Sequence, residues 1–160
     1  MKMKDRYLYK AKRVDNGEWV RGYLFDDGFE NGRVFIGGLV IEKYTGTACD
    51  DWTISGSCFY EVYKSTICQC TGLKDKNGKL IWENDIVKDL FSDACAQIKY
   101  GSYQSCFDST KTEHVGFYVG WSGKYTKRYR KDLGYWINMV NAEVVGNIFD
   151  NPELSESEEI

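Results

Sequence analysis

Apolar and aromatic side chains recur at alternate positions over short stretches of this chain, and turn-forming pairs punctuate them: Asn16-Gly17, Asp27-Gly28, Asn31-Gly32, Ser55-Gly56, Asn77-Gly78 and Ser122-Gly123. A period of two puts alternate side chains on one face of a strand, so the pattern predicts an all-β protein made of hairpins. Tyr7 to Val14 and Trp19 to Phe25 flank Asp15-Asn16-Gly17-Glu18 as a first hairpin. Val34 to Tyr44 and Cys58 to Tyr63 read as later strands, the second after a polar loop holding Asp50, Asp51 and Gly56. Asn77-Gly78 predicts a type I′ turn with both residues at positive φ, letting Leu73 and Leu80 pack across the pair. Glu83-Asn84-Asp85 predicts a sharp corner, in which Asn84 takes the left-handed backbone and Asp85 accepts backbone amides. Beyond it, Ala94, Ala96, Ile98 and Tyr100 share one strand face, and Val115, Phe117, Val119 and Trp121 another; Tyr135 to Phe149 is the final strand region. No segment sustains a helical period, although Lys88 to Ala96 has room for one helical turn.

Composition narrows the class. The chain has 160 residues and a formal net charge of -3, enough length for one ordinary domain or two small ones. The longest apolar stretch, Val34 to Ile41, contains Gly37 and Gly38 and falls far short of the roughly 20 residues that cross a bilayer as a helix. The basic start at Lys2, Lys4 and Arg6 leads into more cations instead of an apolar signal core, so a cytoplasmic protein with no membrane contact is expected. In that compartment Cys49, Cys58, Cys68, Cys70, Cys95 and Cys106 are expected as thiols. Cys68 and Cys70 are the one closely spaced pair, and on a strand they read as small buried side chains, so no metal site is expected. Acidic residues cluster from Asp150 onward (Glu153, Glu156, Glu158, Glu159) with no cation among them, which reads as a solvated tail and leaves the body near neutral.

Two phrases are more specific than any of this. One is Thr71-Gly72-Leu73-Lys74-Asp75-Lys76-Asn77-Gly78-Lys79-Leu80-Ile81-Trp82-Glu83-Asn84-Asp85-Ile86-Val87-Lys88, and the other is Val144-Val145-Gly146-Asn147-Ile148-Phe149-Asp150-Asn151-Pro152-Glu153-Leu154. With a softer opening of Asp5-Arg6-Tyr7, Asn16-Gly17-Glu18-Trp19 and Gly22, the chain resembles the YopX-like family of phage and prophage proteins. The resemblance implies a small SH3-like β-barrel in the C-terminal half, preceded by an N-terminal β-hairpin region, and it implies no particular activity. The corresponding organisation is an N-terminal β region over 1–66, the barrel over 67–152 and an acidic, disordered tail over 153–160. Many relatives carry glycine where this chain has Asn84.

Catalytic chemistry is hard to place on these residues. His114 is the sole histidine, and nothing in the sequence sets it beside Ser102, Ser105 or Cys106 as a triad needs. Gly37-Gly38 lies in a strand-like run with no P-loop lysine after it. No catalytic residue and no cofactor is expected. The suggestive constellation is Trp121, Lys124, Tyr125, Lys127, Arg128, Tyr129, Arg130 and Lys131, followed by Tyr135 and Trp136, where stacking rings interleave with phosphate-pairing cations. Set against single-stranded nucleic-acid binding through segment 121–136 is an ordinary basic loop beside a core that uses the aromatics. The body's weak basic excess favours the latter. The expectation is a non-enzymatic accessory protein whose partner is a macromolecule, protein ahead of nucleic acid, with self-association through strand edges as a further route.

Overall fold

The computed structural model describes residues 3–44, 51–92, 94–105, 107–121, 125, 127 and 129–155. The chain divides into two compact units, Tyr7–Gln69 and Cys70–Ile160 with Met1–Arg6. Both are built of antiparallel strands, so the protein is all-β apart from one short helix and a few 3-10 turns.

In the N-terminal unit, β1 (Tyr9–Lys12), β2 (Trp19–Asp26), β3 (Val34–Tyr44) and β4 (Asp51–Glu61) form an antiparallel meander, and Cys68 and Gln69 pair along the other side of β1. The first hairpin is the expected one: Lys12 faces Trp19, Gly17 takes φ 74° and the Asn16 side chain accepts the Glu18 amide. Ala11, Val34, Ile36 and Val62 form a small core, with Tyr9, Val20, Leu24 and Ile67 packed against it. Thr66 closes the unit, its Oγ1 accepting from the Lys12 amide at 2.9 Å and donating to the Tyr63 carbonyl at 2.8 Å.

One expectation fails here. The stretch from Asp51 to Gly56 is strand instead of polar loop, because its backbone completes a long ladder against Val40 to Tyr44, with a bulge between Val40 and Ile41. A long partner strand supplied the hydrogen bonds that local composition did not foretell. Asp50 lies outside the described residues.

In the C-terminal unit the central sheet has the order β10 (Glu143–Asn147), β7 (Asp85–Lys88), β8 (Cys95–Tyr103), β9 (His114–Gly120). Strand β5 (Cys68–Lys74) ends in this unit and pairs with β6 (Leu80–Trp82) through Cys70 opposite Trp82 and Lys74 opposite Leu80. Among the described residues no strand pairing joins β9 back to β10. Strand β7 is central, and Asp85, Ile86 and Val87 are buried in succession. Of these, Val87 joins Ile81, Ala94, Ala96, Ile98, Val119, Trp121, Trp136 and Val144 in the main core.

The turn at Asn77-Gly78 differs from the expected two-residue form. Gly78 has φ 78°, whereas Asn77 is not at positive φ, and the Asp75 amide pairs with the Lys79 carbonyl around a three-residue loop. The cause is Asp75: its Oδ1 accepts the amides of Asn77 and Lys79, both at 2.9 Å, which winds the loop right-handed before the glycine. Lys74, not Leu73, therefore stands opposite Leu80. The following corner matches expectation. Asn84 has φ 66°, and Asp85, 2% exposed, accepts the Trp82 amide through Oδ2 at 2.9 Å.

The segment after β9 contains helix α1 (Leu133–Asn138), where a strand was expected from Tyr135. Leu133, Trp136 and Ile137 have the three- and four-residue spacing of one helical face, and all three are buried. Left-handed Asn141 (φ 55°) ends the helix, and the Ala142 amide turns back to the Trp136 carbonyl. Between Lys88 and Ala96 the described chain forms a turn and no helix. Asn151 receives the Asn147 amide after β10, and Pro152 opens a 3-10 turn through Leu154.

Candidate functional site

The basic aromatic segment is partly core. Trp121 and Trp136 are 5% and 2% exposed, their rings 4.7 Å apart, and both indole N–H groups donate to the Arg130 carbonyl. Tyr129 packs on Trp121 at 4.8 Å and stacks on Tyr125 at 5.3 Å. The two tryptophans are thus turned inward, while Tyr125 and Tyr129 are half-buried and Tyr135 is exposed. Lys127 and Arg130 are exposed and Lys131 is half-buried, while Lys124 and Arg128 lie outside the described residues.

A different set of side chains is left outward. Within the C-terminal unit Asp89, Phe91, Phe107, Tyr129, Arg130, Tyr135, Trp136, Met139 and Val140 line a cleft of about 560 Å³. Phe91 is 86% exposed, Met139 73%, Phe107 51% and Tyr135 39%. Local structure explains each. Asp89 accepts the Phe91 amide at 3.1 Å and the Ser92 hydroxyl, tightening the turn after β7 so that Phe91 stands outside it. Tyr135 and Met139 are four residues apart on the face of α1 that the buried Leu133, Trp136 and Ile137 leave to solvent. Arg130 sits over the Phe107 ring at 5.0 Å and over the Tyr135 ring at 5.3 Å, bridging the two. Phe91, Phe107 and Met139 were not singled out from the sequence, since their neighbours come from separate turns and a helix.

The groups considered for catalysis are differently arranged. His114 Nε2 contacts Asp108 Oδ2 at 2.8 Å, and its ring stacks on Tyr103 at 5.2 Å. Ser105 Oγ is buried without a hydrogen bond among the described residues, so no Ser-His relay forms there; Cys106 lies outside them. Burial, then the carboxylates of Asp132 and Asp108, hold the Tyr103 phenol above its ordinary value. Cys68 and Cys70 are each fully buried. Among the described residues no three His, Cys, Asp or Glu side chains converge as a metal ion would need, and no helix is long and apolar enough to cross a membrane.

A second concavity, about 550 Å³, lies in the N-terminal unit between Leu24, Phe29, Val34, Lys64 and Ile67. Asp26 and Glu30 also line it; Asp26 accepts the Gly28 amide, and the neighbouring Asp27 accepts the amides of Phe29 and Arg33.

Two antiparallel β units, one bearing an exposed aromatic cleft with an arginine in its wall, define an all-β protein. The family model described as YopX protein matches residues 32–156, and the chain belongs to that family. A crystal structure of protein EF1440 from Enterococcus faecalis is similar in fold, with a TM-score of 0.55 and 23% identity over 92% of this chain and 96% of that one. No curated protein matches the chain.

Proposed function

We propose that this YopX-family protein is a non-enzymatic binding module, an accessory protein of a phage or prophage acting in the host cytoplasm, and that it holds another protein in the cleft of the C-terminal unit. The observation that carries this reading is the exposure of Phe91, Phe107, Tyr135 and Met139 around one concavity. Exposed apolar groups clustered in this way mark interaction sites, because leaving them in water forgoes about 25 cal/mol per Å² of apolar surface. The family resemblance supports the phage setting, and together with the short antiparallel strands it supports an SH3-like barrel for the C-terminal unit. The sole histidine, held by Asp108 and Tyr103, meets no serine nucleophile among the described residues, Ser105 Oγ having no hydrogen bond there, which supports a role without catalysis.

A second reading, single-stranded nucleic-acid binding through 121–136, has the exposed Lys127 and Arg130 in its favour. Against it, Trp121 and Trp136 are spent in the core. Affinity capture of the tagged protein from phage-infected or induced cells, with and without nuclease, separates the two. A protein retained after nuclease and lost with Met139→Glu supports the cleft. A partner lost to nuclease supports the nucleic-acid reading, and capture that ignores Met139→Glu overturns the cleft. Sedimentation of the pure protein shows whether that partner is a second copy.

A further inference from the structure

Besides apolar surface, the cleft carries a charge. Among the described residues that line it, Arg130 is the one cation and Asp89 the one acid. Asp89 is 3% exposed and occupied, by the Phe91 amide and the Ser92 hydroxyl, the latter also receiving the Tyr129 hydroxyl at 2.9 Å. Arg130 is the opposite case. Its guanidinium forms no ion pair with any described carboxylate, and rings, not acceptors, hold it in place. A guanidinium packed on aromatic faces has already lost much of its rotamer freedom, so its forked N–H donors meet a carboxylate at reduced entropic cost.

We infer that the cleft takes an extended protein segment in which a large apolar side chain stands close to an Asp or Glu. The apolar side chain seats among Phe91, Tyr135, Met139 and Val140, and the carboxylate pairs with Arg130. This rests on the binding-module reading and names the chemistry of the partner. Charge complementarity selects the acid, since the lining offers one cation without an acidic partner. Nucleic acid is the poorer occupant. A phosphate chain rewards a row of cations, and of the three outward rings Phe107 and Tyr135 already face the same guanidinium, which leaves Phe91 alone to stack on a base.

The test uses the full chain against synthetic peptides that place Trp, Phe, Leu or Met at varied spacing from Asp or Glu. Matched peptides carry Asn or Gln instead, and oligothymidylate serves as the nucleic-acid probe. Acidic peptides should bind, and Arg130→Gln should weaken them by about tenfold or more, the loss expected of a charged hydrogen bond. Exchanging the peptide carboxylate for its amide should cost as much, and both changes together no more than either alone. Arg130→Lys should recover only part, because it keeps the charge without the fork. The substitution spares the fold, since Trp121 and Trp136 bond to the backbone carbonyl of residue 130, and unchanged far-ultraviolet circular dichroism checks this. Equal binding of acidic and amide peptides, no effect of Arg130→Gln, preference for oligothymidylate, or no peptide binding would each overturn the inference. Cellular capture lost with Met139→Glu yet intact with Arg130→Gln would sink the carboxylate while leaving the cleft as the binding site.

Discussion

Replacing Asp75 tests the account of the motif hairpin most directly. The side chain is 6% exposed and serves backbone amides on two elements: Oδ1 takes Asn77 and Lys79 in its own turn, and Oδ2 takes Val144 of β10 at 3.2 Å. Asp75→Ala leaves the Val144 amide buried without that acceptor, which costs about 1–3 kcal/mol. The exposed amides of Asn77 and Lys79 regain water, so each adds only about 0.5–1 kcal/mol. The sum, about 3 kcal/mol, is a large part of the roughly 5–15 kcal/mol that holds a domain folded. Asp75→Asn separates the two contributions, because its oxygen can still serve the turn while its amide nitrogen meets Val144 donor to donor. It should cost about 1–3 kcal/mol. Urea unfolding followed by circular dichroism measures both, and amide exchange at Val144 localises the loss. An alanine variant within about 1 kcal/mol of the parent, or an asparagine variant worse than alanine, would refute the assignment of Asp75 as the clamp between turn and strand.

At the corner, Asn84→Gly keeps the left-handed backbone but loses the hydrogen bond from Gln97 Nε2 at 2.8 Å, a cost of about 0.5–1.5 kcal/mol, and Asn84→Ala should lose about 1 kcal/mol more to backbone strain, read from thermal unfolding. Gly37→Ala should destabilise the N-terminal unit, because its new methyl would overlap the Cys58 carbonyl and crowd the Phe59 ring; proteolysis between β3 and β4 would report the opening. Tyr103 titrates above its ordinary value, so its contribution to stability is complete below the unfolded pKa and is lost as pH rises through the folded one. The parent should therefore lose stability faster than Tyr103→Phe in alkaline urea titrations, and equal slopes would contradict the burial of that phenol.

The strand pattern was legible wherever alternation and turn pairs coincided. Val34 to Tyr44 is the strand expected, and the Asn84 corner has the expected backbone. What escaped depended on partners distant in sequence. Asp51 to Gly56 became strand through a ladder with β3, and the turn at Asn77 took its form from a carboxylate two residues earlier. Helix α1 is so short that three buried side chains make up its whole period, too little to distinguish it from the strand that follows. For the candidate site, the segment 121–136 divides between core and surface. Arg130 and Tyr135 do face outward, but Trp121 turns into the core, and the cleft is completed by Phe91 and Phe107 from turns that no local pattern connects.

The carbonyl of Arg130 receives the indole N–H of both Trp121 and Trp136. One peptide oxygen therefore links the guanidinium residue at the cleft wall to two chromophores beneath it. A displacement of the peptide at residue 130 alters both hydrogen bonds at once, and indole emission responds to a change in such a bond. An occupant of the proposed cleft that shifts residue 130 should therefore register in the emission of Trp121 and Trp136, above the background of Trp19, Trp52 and Trp82.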